Sequence, residues 1–455
     1  MRSLLLLLAA TAIAAAQTNA ARAWTRLTPG RGDDQMEAAT VRTKDGVLHV
    51  FWRTAGPKRS LMHQSLTAAD GKPLGAPVAI AQDWDGFSLP KAVLLADGTL
   101  QVFFSGQRGS SDRNDPYNAG HLYSAASKDG GTTWTVMAGP QSPGTKVSYL
   151  AAAPGKENKP LAAYVDGGSK VLLQEAFGKT AAVETTWDGP CCAYNVQLAQ
   201  DADSGEIWAG WFHNGRQAPG VYVRAVKPAP GEPQLAPGSG PDPNQQTALA
   251  ARLGAPGVYL AYFNGPDVRL WNARGGEALN VVRVDGVRRV WLAAAPEGRF
   301  WLLWVNGNQT ASAIRGNKAL SRFSKPYSLG SPAPGGAMLA LVGNSAGGPL
   351  DAVAHVSMAG PDKSADFHVH VLPEIEVSAS AAGISVTDVG DPVEGADVTV
   401  AGQTMKTDGK GFAAHALTPG APTPVQASMK GYAPTAVTVT LPKPPAAAKP
   451  AGKKK

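Results

Sequence analysis

The sequence predicts an all-β chain: a β-propeller of six or seven blades, seven favoured, followed by a small β-sandwich. Three observations carry that expectation. Turn formers are dense, with 52 Gly and 36 Pro among 455 residues, which favours many short strands over long helices. A strand–turn–strand unit recurs seven times through the middle of the chain, and such a period is the mark of a repeat fold. Beyond Pro373 the texture changes to Val/Thr alternation with few aromatics, which sets off a second, smaller unit. At 44% apolar and 17% charged residues, the chain has ample material for a core and is not a disordered polymer.

The N-terminus reads as an address. Arg2 precedes five leucines at 4–8 and an Ala-rich stretch to Ala16, then the polar run 17–19 and Ala20. A positive start, a short apolar run and small residues near the exit are the parts of a secretory signal peptide, assigned here to 1–20. The run is shorter than the ~20 apolar residues of a membrane-spanning helix. No Cys stands near the exit, so a lipid anchor is not expected. The expected location is secreted, periplasmic or cell-surface after removal of the signal peptide, with no transmembrane anchor.

The propeller is assigned to 21–372. Its second strands are 48–52 (LHVFW), 100–104 (LQVFF), 161–164 (LAAY), 207–211 (IWAGW), 258–262 (VYLAY), 300–304 (FWLLW) and 350–355 (LDAVAH), with ends 42 to 60 positions apart. Ala-rich first strands precede them, such as 91–95 and 291–295; small side chains suit strands crowded around a central channel. Four second strands run into Asp166-Gly167, Asn214-Gly215, Asn264-Gly265 or Asn306-Gly307. These pairs accept positive φ at the centre of a tight hairpin, so each marks a strand reversal. Third strands follow at 171–174, 221–224 and 268–271. Continuous apolar runs replace clean alternation because a blade packs against two neighbours. The seventh unit, ending near 367–371, lacks its own fourth strand, which 23–27 (AWTRL) is placed to supply, closing the ring. An array of β-sandwiches is the competing architecture.

One turn is distinctive. Residues 127–134 (SKDGGTTW) follow the pattern Ser-x-Asp-x-Gly-x-Thr-Trp. Physically this is a hairpin in which Asp129 bonds nearby backbone amides, Gly131 permits the reversal and Trp134 fills the gap between strands. With Ser127, these residues resemble the Asp box (BNR repeat) of sialidase-like propellers. That resemblance implies a structural role on the rim away from substrate. Residues 69–71 are a remnant of a second box. The activity that the resemblance implies, sialidase cleavage, uses three arginines on a carboxylate, a Tyr nucleophile helped by Glu and an Asp acid/base. It also carries Arg-Ile-Pro in the first blade; this chain has 38–42 (AATVR) there and no Arg-Ile-Pro anywhere. The catalytic residues are therefore unknown and none is carried over. A sialidase-type exo-glycoside hydrolase with a divergent site stays as the enzymatic alternative.

Two segments are candidates for ligand contact, since long polar loops on a rigid scaffold concentrate function. Residues 105–121 form the longest loop and carry Arg108, Arg113, Asp115 and Tyr117, with Asp112 and His121. Residues 187–195 hold the only two cysteines, Cys191 and Cys192, beside Trp187 and Tyr194. Adjacent Cα atoms lie ~3.8 Å apart, closer than the ~4.4–6.8 Å usual for a disulfide. A bond between them is a strained ring, of the kind found near ligands; two free thiols or an intermolecular bridge are the alternatives. Arg53 and Arg288, with Arg289, are further guanidinium candidates. No Cys/His spacing or spaced oxygen series marks a metal site, and no cofactor is expected. Asn308-Gln309-Thr310 fits a glycosylation sequon and is read as fortuitous in a chain of bacterial composition.

Residues 373–442 hold VTDVGDPVEGADVTV (386–400), TDGKGF (407–412), LTPG (417–420) and GYAPTAVTVT (431–440). The succession resembles the carboxypeptidase regulatory-like (transthyretin-like) domain, which implies a rigid, non-catalytic accessory. Residues 443–455 form a Lys/Pro/Ala tail that cannot bury apolar surface and is expected to be disordered. Arg2 and the five tail lysines account for six of the net +7 charges, so the body is nearly neutral. With no basic face interleaved with aromatics, nucleic-acid binding is not expected. The sequence reading is thus an exported, monomeric propeller that binds a glycan or an anionic cell-surface polymer. The alternatives are the hydrolase above and a structural envelope or protein-interaction module.

Overall fold

The computed structural model describes residues 23–28, 38–54, 58–107, 120–137, 142, 147–167, 170–175, 180–184, 192–215, 218–240, 247–360 and 363–443. The proposed signal peptide lies outside the described residues, as does nearly all of the basic tail. Nine four-stranded sheets are formed among the described residues, and the chain divides into two compact units, one over 21–371 and one that includes 372–455.

Seven of the sheets are blades, each a four-stranded antiparallel meander. Their inner strands are Ala39–Arg42, Gly86–Leu94, Val147–Ala153, Ala193–Gln200, Ala248–Ala251, Val287–Ala295 and Ala337–Asn344 (blades 1 to 7). Each inner strand touches the next, and the seventh touches the first. The ring is therefore closed and seven-bladed, and a linear array of sandwiches is excluded. The missing strand of blade 7 is Thr25–Arg26, which pairs antiparallel with Ser364–Val371. The Leu27 N–H donates to the Asp366 carbonyl at 2.9 Å, and Trp24 Nε1–H reaches Leu329 O on blade 6 at 2.6 Å.

The second strands show why alternation was absent. Leu48–Arg53 is buried at all six positions and Ile207–His213 at all seven, because both faces of a blade meet neighbours. Val50 and Trp52 pack with Val342 and Val353 of blade 7, while Phe51 packs toward Val102 and Phe104 of blade 2. The four Asn/Asp-Gly pairs all lie at reversals, but not with the acid or amide at the turn centre. Asn264 ends its strand opposite Asp267, leaving Gly265 (φ +55°) and Pro266 as the turn. At 306–310 the turn is longer: Gln309, not Gly307, takes positive φ, and Asn306 Oδ1 accepts the Thr310 N–H at 3.1 Å.

The Asp box joins the third and outer strands of blade 2, His121–Ser127 and Thr135–Val136. Ser127 Oγ donates to Asp129 Oδ1 (2.8 Å) and accepts the Gly131 N–H (2.9 Å). The Thr133 N–H donates to Asp129 Oδ1 and Trp134 Nε1–H to Gly131 O. The Thr133 hydroxyl and amide, then Ser127, hold the Asp129 carboxyl down to about 2.

The second unit stands by itself as two facing sheets. One holds Glu376–Ser380, Gly383–Asp388, Asp391–Pro392 and Phe412–Ala414; the other holds Asp397–Val400, Gln403–Lys406, Thr423–Ser428 and Thr435–Val439. Ile384 and Val386 from one sheet and Val398, Val400 and Val425 from the other share one core. Thr407 and Asp408 brace its hairpin: Thr407 Oγ1 donates to Val393 O, and Asp408 Oδ1 accepts the Lys410 and Phe412 amides at 2.9 Å.

Candidate functional site

In an antiparallel meander every inner strand begins, and every second strand ends, on the same rim. On that rim five of the seven inner strands break register near their start: between Ser88 and Lys91, Ser148 and Ala151, Tyr194 and Gln197, Val287 and Arg289, and Met338 and Ala340. Such bulges re-aim side chains and are frequent beside binding sites. Blades 3 and 4 carry the strongest distortion. Tyr149 (φ +49°) and Asn195 (φ +53°) are left-handed at these bulges, a conformation that is a genuine outlier for a bulky residue such as tyrosine. Strain of this kind persists only where the surroundings enforce it.

The surroundings are a polar-aromatic corner. The Tyr149 and Tyr194 rings meet edge to face, centroids 5.5 Å apart, and Tyr194 leans on Phe212 at 6.0 Å. Asn214, exposed at the end of the blade 4 second strand, grips the chain entering the inner strand. Its side-chain carbonyl accepts the Cys192 N–H, its own N–H donates to Cys192 O at 3.3 Å, and its Nδ2 donates to the Tyr194 hydroxyl at 3.5 Å. The Asn195 carbonyl accepts the Thr247 hydroxyl from blade 5 at 3.1 Å. His213 is fully buried behind them, its Nδ1 accepting the Gly215 N–H at 3.0 Å. Cys192 is disulfide-bonded, and the sequence holds one other cysteine, Cys191.

Of the residues singled out by sequence, Cys192 and Tyr194 come together here. Arg53 stands elsewhere, at the end of the blade 1 second strand. It is buried, with Nη1–H donating to Phe87 O of blade 2 at 2.9 Å. That guanidinium ties two blades together. Arg288 is exposed in the blade 6 bulge. Arg108, Arg113, Asp115, Tyr117 and Cys191 lie outside the described residues. The Asp-box residues Ser127, Asp129, Gly131 and Trp134 lie at the end of the third strand, on the opposite rim from the corner. Tyr149, Asn195 and Asn214 are the additions made by structure. Among the described residues, no group of three or more His, Cys, Asp or Glu is arranged to hold a metal ion, and no helix is long and apolar enough to cross a membrane.

No family model matches the chain and no curated protein matches it. Solved structures resemble it at a distance. The BP39L lectin from Burkholderia pseudomallei is 13% identical, covering 84% of this chain and 99% of its own, with a TM-score of 0.47. Virginiamycin B lyase from Staphylococcus aureus is 10% identical over 76% of this chain and 98% of that one, TM-score 0.48. The α-L-arabinofuranosidase Arb93A from Fusarium graminearum is 15% identical over 66% and 97%, TM-score 0.44. Likenesses this remote say nothing of what the present chain binds or cuts.

Proposed function

We propose that this chain is an exported carbohydrate-binding propeller of the sialidase-like, Asp-box kind, taking a glycan or cell-surface polymer on the rim of blades 3 and 4. The single observation that supports the reading is the corner at Tyr149 and Tyr194, where bulged and strained strands present two phenol rings beside an exposed amide. Tyrosine offers an apolar face for the C–H side of a sugar ring and a hydroxyl for its polar edge. Asn214 adds both donor and acceptor capacity. The disulfide at Cys192, proposed to join Cys191, stiffens the strand that carries Tyr194. In this reading residues 1–20 are a signal peptide, 373–442 a transthyretin-like spacer and 443–455 a solvated basic tail, and the protein acts as a monomer. The loop bearing Arg108, Arg113, Asp115 and Tyr117, together with Arg288, remains the proposed supplement to the site, whereas Arg53, buried against Phe87 O, is not part of it.

The test is a glycan array on the mature protein, repeated after mild reduction and with Tyr194→Ala. Binding to a defined glycan set that falls at least tenfold in the variant supports the proposal. Binding that is absent across the array, or unchanged in the variant, refutes it.

A further inference from the structure

Blade 1 contains a buried polar pair that has no part in the corner described above. His49, on the second strand, and His63, on the third strand Arg59–Leu66, are each 2% exposed. Their rings stack with centroids 5.1 Å apart, and Nδ1 of His49 shares a hydrogen bond with Nε2 of His63 at 2.9 Å. Phe51 and the Asp-box Trp134 close on His63, with centroids 5.1 and 5.3 Å away. The box turn lies directly on the ring: a Cβ placed on Gly131 would stand 2.2 Å from His63 Cε1. The other nitrogen, His63 Nδ1, is buried and makes no well-formed hydrogen bond.

We propose that the His49–His63 pair is an acid-operated latch on the seam between blades 1 and 2, which releases the Asp-box turn when a proton enters it. The groups facing the pair decide the direction. The Thr43 and Ser65 hydroxyls lie 3.4 and 3.3 Å from His49. Asp45 favours a charged His49 and Arg42 opposes it. His63 is faced by His49, which repels a second charge, by two aromatic rings, and by the Gly131 backbone, whose hydrogen bond favours the charged ring but is outweighed by burial. Burial thus dominates: it pushes His49 down to about 4 and His63, with His49 repelling any second charge, to about 3.

Both rings therefore bind a proton more weakly when buried than when exposed. The latch is fully closed above the ordinary histidine pKa of ~6.5 and loses stability as pH falls from there toward 4. Titration of one exposed ring favours the open form about 20-fold at pH 5 relative to pH 7.

The experiment is amide hydrogen exchange of the full-length protein at pH 7, 6 and 5, corrected for intrinsic rates. Peptides spanning 59–66 and 127–134 are followed against 299–306 in blade 6, in wild type and in His63→Phe. The expected result is a loss of protection of about 20-fold or more at the box, little change in blade 6, and a several-fold smaller acid response of the box in the variant, which keeps only His49. A box response equal to that of blade 6, or one retained in full in the variant, overturns the proposal. Should the variant not fold, ¹⁵N-histidine titration of the wild type decides. Rings that stay neutral until box exchange rises support the latch; rings that titrate near pH 6.5 under a protected box overturn it.

Discussion

At the scale of single residues, the seam between the last and first blades depends on Asp351. It is 1% exposed and accepts hydrogen bonds from Arg42, from His368 Nε2 and from His370 Nδ1, the last two at 2.8 Å. Burial alone would raise its pKa, yet the bonds from His368 and His370 hold the carboxyl well below the usual carboxylate range. Removing one member of a buried pair strands the other in a medium of low dielectric, which costs about 3–5 kcal/mol. Asp351→Asn is accordingly expected to lower propeller stability by about that amount in urea unfolding; a loss under 1 kcal/mol would show that Arg42 finds another partner. A second residue prediction concerns the corner. Asn214→Ala removes the two side-chain hydrogen bonds to Cys192 and Tyr194, keeps the backbone bond to Cys192, and buries nothing new. It is expected to weaken glycan binding about tenfold while shifting the melting temperature by no more than a few degrees. Asn214 was visible in the sequence only as the first half of an Asn-Gly turn. Its grip on Cys192 joins positions 22 apart, a distance no local pattern encodes, and Tyr149 sat unnoticed because a tyrosine in a strand is ordinary until its φ is known.

At the scale of elements, the strand pattern was legible because packing on both faces imposes it directly on composition. The seven apolar second strands, the Ala-rich inner strands and the closing segment at 23–27 all fall where the sequence placed them. What stayed hidden was irregularity: the bulges at 148–151 and 194–197, with the positive φ of Tyr149 and Asn195, have no counterpart in the local residue pattern. The Asp box shows the opposite case, a local motif whose hydrogen bonds were readable from its letters, though not its partner on the neighbouring blade. That partner makes a sharp test. Gly130 (φ +67°) and Gly131 (φ +88°) both adopt left-handed backbone, but a Cβ on Gly130 meets open space while one on Gly131 collides with His63. Gly130→Ala should cost about 1 kcal/mol from backbone strain alone. Gly131→Ala should cost a further ~1–3 kcal/mol from overpacking. Equal losses in thermal unfolding would mean that the box does not bear on blade 1.

At the scale of the whole molecule, closure and division are separate properties with separate signatures. The wheel is completed by only two paired residues, Thr25 and Arg26, with the Leu27 amide and the Trp24 indole as supports. Without them Ser364–Val371 becomes an open edge, and the buried Phe367 and the half-buried contact of Trp24 with the core of blades 6 and 7 are disturbed. Exposed edges of this type pair promiscuously. The sandwich over 372–443, by contrast, has a core of its own built from residues such as Ile384, Val398 and Val425. Calorimetry on the mature protein is therefore expected to show two transitions. A chain starting at Thr28 should have the propeller transition lowered by several degrees, with increased aggregation, while the sandwich transition stays in place. If both transitions move together, the units do not melt independently; if neither moves, the two-residue strand is not what holds the seventh blade in the ring.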